Sequence, residues 1–186
     1  SYTVTPTFAN HIFTPARRIL TGVISNRIAD FAGGQTCSTP GCNVNGKITF
    51  VRGTDIFRSN ADGTDVVNLT NGTMGICEDP AFSPDGNFIT FRSNSPGNYE
   101  IYRMTTPGTN ITRLTTAAGT DEYPVYSPNG SKIVFVSDRD GNQEIYTMNS
   151  DGTGQVRLTN NTIRDSEPAF SPDGTKIVFN RGVNGN

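Results

Sequence analysis

Three short phrases recur along this chain at one fixed interval, and that interval decides what it can fold into. "FSPDG" at 82–86 returns as "YSPNG" at 126–130 and as "FSPDG" at 170–174, with 44 residues between successive copies. Behind each stands an apolar stretch: "NFITF" (87–91), "SKIVF" (131–135) and "TKIVF" (175–179). An earlier copy, "GKITF" (46–50), follows "NVNG" instead. Next come "DIFRSNADGT" (55–64), "EIYRMTTPGT" (100–109) and "EIYTMNSDGT" (144–153), and after them "VNLT" (67–70), "TRLT" (112–115) and "VRLT" (156–159). Self-similarity at this period marks a repeat architecture rather than a single globular core.

Each unit reads as four short strands. The first ends at Ser-Pro-Asp-Gly, where Pro presets φ and Gly accepts a positive φ, the chemistry of a tight hairpin. The second, such as Ile133-Val134-Phe135-Val136, is apolar on consecutive positions, so both of its faces must be covered, as in a sheet stacked between two others. The third, Glu144 to Met148, is less uniformly apolar and is expected nearer the outside. A turn then leads to a short fourth strand ending at Leu158-Thr159. Four strands repeated in about 44 residues make the fold class all-β, a β-propeller of four-stranded antiparallel blades.

The stretch "EIYTMNSDGTGQVRLTNNTIRDSEPAFSPDGTKIVF" resembles the TolB-like propeller repeat, also called the WD40-like or PD40 repeat. The resemblance covers residues 46–186. The family often places Trp before Ser-Pro-Asp-Gly, where this chain has Phe82, Tyr126 and Phe170. Asp121 and Asp165 lead their first strands, whereas Cys77 holds that place in the earliest one. Aligned on Pro128 and Pro172, the chain is expected to hold the last three strands of one blade, two whole blades and the first two strands of another. Closing a propeller takes at least four blades. The expectation is therefore a fragment of a longer chain, or a subunit whose open edges neighbours complete.

Residues 1–45 do not repeat. "SYTVTPTF" (1–8) suits an edge strand, with Pro6 excluding a central one. "TPARRILTGVISNRIADFAGG" (14–34) reads as an amphipathic helix: Thr14 suits the N-cap, Pro15 the first turn and Gly33 the C-cap, with Ile19, Leu20, Val23, Ile24, Ile28 and Phe31 on one face. It either packs on the propeller or docks on a partner. In "CSTPGC" the turn between Cys37 and Cys42 allows a disulfide, the alternative being two free thiols. One such pair is too little for a zinc site, and Cys77 is left over.

Net charge is −2 in 186 residues, which gives no reason to expect nucleic acid as a partner. No apolar run approaches the ~20 residues that span a bilayer. The chain has no Met-initiated, Lys/Arg-flanked apolar leader, so any secretion signal is expected to have been removed. Its one histidine, His11, has no nucleophile-and-base set beside it, and the expectation is no enzyme and no cofactor. "SDRDGNQE" offers oxygens at Asp138, Asp140, Asn142 and Glu144 in the alternate spacing of calcium loops. Gln143 at the sixth place and Asn149 at the twelfth break the EF-hand pattern, and a hairpin turn accounts for the same residues.

The acidic residues between each outermost strand and the next innermost one are the binding candidates: Glu78 and Asp79, Asp121 and Glu122, Asp165 and Glu167. If their loops cluster at the mouth of a central channel, the carboxylates form one ring whose field draws cations or basic peptide segments. The other reading, the simpler one for Asp121 and Asp165, is that each caps backbone N–H groups where the strand begins. The resemblance implies a periplasmic or extracellular, non-catalytic binding module with a protein or peptide partner. Two alternatives stand beside it: a self-assembling extracellular subunit of a filament or surface layer that binds copies of itself, and the propeller part of a larger multidomain enzyme.

Overall fold

A computed structural model describes residues 46–95 and 97–182. The expected helix at 14–34, the edge strand at 1–8, His11 and the Cys37/Cys42 pair lie outside the described residues. The described chain is all-β. No helix among these residues is long and apolar enough to cross a membrane.

The described residues form thirteen strands in four antiparallel sheets. The first holds β1 (Lys47–Arg52), β2 (Asp55–Asn60) and β3 (Val67–Asn68) in that order. The second holds β4 (Cys77–Phe82), β5 (Phe88–Ser93), β6 (Glu100–Thr105) and β7 (Thr112–Arg113). The third repeats it with β8 (Asp121–Tyr126), β9 (Lys132–Ser137), β10 (Glu144–Asn149) and β11 (Val156–Arg157). The fourth pairs β12 (Asp165–Phe170) with β13 (Ile177–Arg181). Two four-stranded blades thus stand between one with three strands described and one with two strands described, the strand pattern that the 44-residue interval predicts.

The Ser-Pro-Asp-Gly turn closes each inner hairpin by side-chain chemistry as well as by φ. The Ser83 hydroxyl donates to Asp85 Oδ1 at 2.5 Å and accepts from the Phe88 N–H at 2.9 Å. Gly86, Gly130 and Gly174 then take φ of 71°, 71° and 70°, a region that L side chains avoid. A Cβ on Gly174 would lie 3.4 Å from Pro128 Cδ, so successive turns seat on one another around one end of the stack.

Cores form between sheets rather than within them. Ile56 and Leu69 of the first sheet pack against Ile89, Phe91, Tyr102 and Met104 of the second. Ile101 and Leu114 of the second meet Ile133, Phe135, Tyr146 and Met148 of the third. Val134, Val136 and Ile145 carry Ile177 and Phe179 of the fourth. The run Ile133–Val136 is fully buried because alternate residues serve two different cores. Each such side chain contributes roughly 1.5–3 kcal/mol. The third strand departs from expectation. Glu144, Ile145, Tyr146 and Met148 are all buried, because the strand feeds the cores on both sides, and only the two-residue fourth strand is peripheral. Where β12–β13 end the stack, Leu158 is 48% and Val178 66% exposed, against 7% and 0% for their counterparts Leu114 and Val134.

The inner strands carry a bulge at one repeated place, between Glu78 and Ala81, Glu122 and Val125, and Ser166 and Ala169. Pro80, Pro124 and Pro168 sit in these bulges, where the ladder asks for no donor. The residue before each is left-handed, with φ of 51° at Asp79, 54° at Tyr123 and 53° at Glu167.

Candidate functional site

The acidic candidates lie on the inner strands themselves, at or just before the bulge, and not in the loops that precede them. The first residue of each inner strand is tied to the preceding sheet. The N–H of Cys77 donates to Thr54 O at 2.9 Å, that of Asp121 to Tyr99 O at 2.9 Å, and that of Asp165 to Gln143 O at 2.8 Å. This places the three side chains at the seams between blades, where all are buried.

Asp121 and Asp165 hold guanidinium groups there, which replaces the expected capping of backbone N–H groups. Arg139 Nη2 donates to both Asp121 oxygens, at 3.1 and 2.9 Å. Arg181 forks onto Asp165, with Nε to Oδ1 at 2.7 Å and Nη2 to Oδ2 at 2.8 Å. The two acids respond differently. Burial pushes the Asp121 carboxyl above its ordinary range despite Ser137 and Arg139, whereas the hydrogen bonds from Arg181 hold Asp165 below it. Cys77 is a free thiol at the corresponding seam of the first and second sheets, raised to about 11 by burial.

Glu78, Asp79 and Glu122 converge on one cation, Arg92 of β5. Arg92 Nη2 meets Glu78 Oε2 at 2.6 Å, Nε lies 3.0 Å from Asp79 Oδ2, and Nη1 pairs with Glu122. Gln143 holds the other Glu122 oxygen at 2.9 Å. Glu167 takes a bond from Asn180 at 2.8 Å. Three of the six candidates are therefore brought together around Arg92, and Asp121, Asp165 and Glu167 each have their own partners, so the carboxylates do not stand as one open ring.

The residues with calcium-type spacing are taken up by protein partners, and Arg157 sits between Asp140 and Glu144. Asp138 Oδ1 accepts the Thr120 N–H at 2.6 Å, Asp140 pairs with Arg157 at 3.2 Å, and Asn142 donates to Ile163 O at 3.0 Å. Among the described residues, no group of three His, Cys, Asp or Glu side chains is placed to hold a metal ion.

A second polar system was visible in the repeats as paired motifs whose coupling the sequence reading missed. The acid opening each third strand is answered by the Thr that follows the fourth. Thr70 donates to Asp55 at 2.7 Å, Thr115 to Glu100 at 2.6 Å, and Thr159 to Glu144. Each hydroxyl also accepts the next backbone N–H of the third strand, at 3.1, 2.9 and 2.9 Å. Arg113 and Arg157 complete the two glutamates, at 2.5 and 3.2 Å. Burial works against Glu144, but Thr159, Asn161, Asn142 and Arg157 hold its carboxyl below the usual range.

These features match known proteins at the level of the blade. Residues 116–186 match the TolB β-propeller domain family. The blades are TolB-like propeller blades. A TolB structure from Acinetobacter baumannii superposes with a TM-score of 0.65 at 30% identity, over 76% of this chain and 36% of that one. A TolB-type protein of Agrobacterium tumefaciens gives 0.63 at 29%, over 72% of this chain and 48% of that one. An uncharacterized protein of Agrobacterium fabrum is 37% identical over 67 residues, 36% of this chain and 22% of its own length. A chain of a nidogen/laminin complex, at 17% identity and a TM-score of 0.64, shares the fold alone. The TolB-like chain thus spans less than half the length of each of the two TolB-type structures.

Proposed function

We propose that this TolB-like chain is a non-catalytic scaffold, working in the periplasm or outside the cell, that presents the bulged end of its inner strands to a protein or peptide partner. The observation that carries this reading is where the polar chemistry goes. Asp121, Asp165, Glu100 and Glu144 are buried and answered by arginines and threonines of their own blades, so they tie the strands of each blade together. Buried acids used this way brace a rigid surface rather than transfer protons. Glu78, 38% exposed, and Glu167 stand at the inner end of that surface. The likeness to TolB structures supports the envelope location, though a fold by itself does not transfer a partner.

The test is site-specific photo-crosslinking in the native host, with the probe at Glu78 or Glu167 and a control at Thr175 on the opposite, turn-bearing end. A discrete adduct from the first two positions, in the periplasmic or secreted fraction, is the expected result. A cytoplasmic location overturns the reading, as does an adduct from the control alone. An adduct formed only with a second copy would favour the self-assembling subunit instead. Turnover by the native full-length protein that depends on a residue of the described blades would overturn the non-catalytic assignment.

A further inference from the structure

Arg92 has no counterpart in the other blades, where Val51, Val136 and Asn180 occupy its position, so its surroundings are not a general need of the repeat. Side chains from two sheets meet around it. Glu78 and Asp79 reach its edge from β4 and Glu122 from β8, at the contacts given above. It also lies over two rings: the guanidinium carbon is 4.4 Å from the Tyr99 centroid and 5.5 Å from that of Tyr123. The group is 13% exposed. Tyr123 reaches this place from a left-handed backbone, φ 54°, a conformation rare for an aromatic residue. Gln143 of the third sheet braces Glu122 from behind.

We propose that Glu78, Asp79, Glu122, Tyr99 and Tyr123 form a guanidinium receptor across the seam of the second and third sheets, with Arg92 as its resident ligand. Acids at three different nitrogens and two nearby rings fit a planar fork with spread N–H donors better than a compact ammonium, whose three donors radiate from one atom. The rings add attraction for the cation. Three carboxylates against one arginine leave the site negative, and without Arg92 the acids would repel one another across the seam. The ligand class is an alkylguanidinium, such as the side chain of an arginine, and in the folded chain the site is filled from within.

Arg92→Ala in the full chain should lower Tm, and low-millimolar ethylguanidinium should restore about half of the loss or more in a saturable way, far below the molar range where guanidinium denatures. Ethylammonium at matched ionic strength should restore much less, and wild type should respond to neither. Equal rescue by both cations, or rescue by neither, overturns the proposal. Arg92→Lys provides a check that does not depend on the alanine variant folding. It should recover only a minor part of the stability, whereas near-wild-type stability would show that charge alone suffices. In wild type, the Arg92 side-chain N–H signals should exchange slowly and show hindered rotation about Nε–Cζ. A freely averaging group would also overturn the receptor.

Discussion

The second and third sheets share strand order, turn geometry and the bulge, yet they open their inner strands on different chemistry. The third begins with Asp121 under Arg139, and the second with Cys77, whose thiol faces the Met74 carbonyl at 3.7 Å. The fourth begins with Asp165 under Arg181. Arg139 corresponds by position to Ser95 of the second sheet, and Arg181 to Ser93, so the second sheet has a serine at both places from which an arginine reaches the seam. An ionised carboxylate sealed from water without a partner is costly, while a thiol in the same space remains neutral. The comparison teaches that the seam admits an acid only where an arginine is in reach, and that the arginine need not come from the same strand position.

The most severe way to break that rule is Cys77→Asp, which places a carboxylate at a site with no arginine. We expect a loss of about 3–5 kcal/mol in urea unfolding, the cost of an uncompensated buried charge. Cys77→Asp with Ser95→Arg should recover more than half of it. The backbone is already suited to this exchange: Gly75 lies against Asn94 and Ser95 as Gly119 lies against Asp138 and Arg139. If the double variant were no more stable than the single one, the arginine would not be what makes Asp121 tolerable.

The blade pattern was legible in the sequence because spacing is preserved when side chains change. Ile133 to Val136 announced two covered faces, and the Ser-Pro-Asp-Gly turns marked each inner hairpin. The buried system of Glu100 with Thr115 and Glu144 with Thr159 was legible in principle, since a strand-opening acid and a Thr recur 15 residues apart. The partners of the inner-strand acids were not. Arg92 stands where other blades have valine or asparagine, and Arg139 and Arg181 occupy unequal positions. No repeat-based argument could join them to Asp121 or Glu122, because Arg139 and Arg181 reach back to the acid of their own sheet from unequal positions, and Arg92 reaches Glu122 of the next sheet. Placing the acids on loops overlooked the Pro-containing bulge, which lets the inner strand begin earlier.

A milder comparison sets Asp121 against Asp165. The Asp121 carboxyl is raised above its ordinary 3.8, chiefly by burial. Whatever it contributes to stability is present in full below that value and is lost as pH rises through its folded pKa. The Asp165 carboxyl is lowered, chiefly by the hydrogen bonds from Arg181. Its contribution is present above 3.8 and is lost as pH falls through the folded value. Asp165→Asn should cost roughly 1–2 kcal/mol at neutral pH, the worth of a charge-assisted pair with a half-exposed arginine, and should converge on wild type in acid. Asp121→Asn should trend the opposite way, comparing best with wild type at neutral pH and worst in acid. Unfolding free energies measured across the acid range check both, and parallel curves for the two variants would show that the seams do not differ.

The smallest expected effect lies in the turns. The third sheet has Asn129 where the second and fourth have Asp85 and Asp173. Asn129 Oδ1 accepts from the Ser127 hydroxyl at 2.8 Å, the Ser131 N–H at 3.0 Å and the Ser131 hydroxyl at 2.8 Å. Asp173 Oδ1 takes the same three bonds from Ser171 and Thr175, at 2.5, 3.0 and 2.8 Å. Those bonds pull the Asp173 carboxyl down to about 2. Asn129→Asp keeps the geometry and makes all three bonds charge-assisted, which strengthens each of them. A depressed carboxyl stabilises above its unfolded pKa, so the variant should gain roughly 1–3 °C in Tm at neutral pH. The gain should fade as pH drops from 3.8 toward about 2, the span between the ordinary and lowered values of Asp173. A gain that persisted below that span would have some source other than the carboxylate. No gain at neutral pH would mean that the amide already serves the turn as well as the acid does.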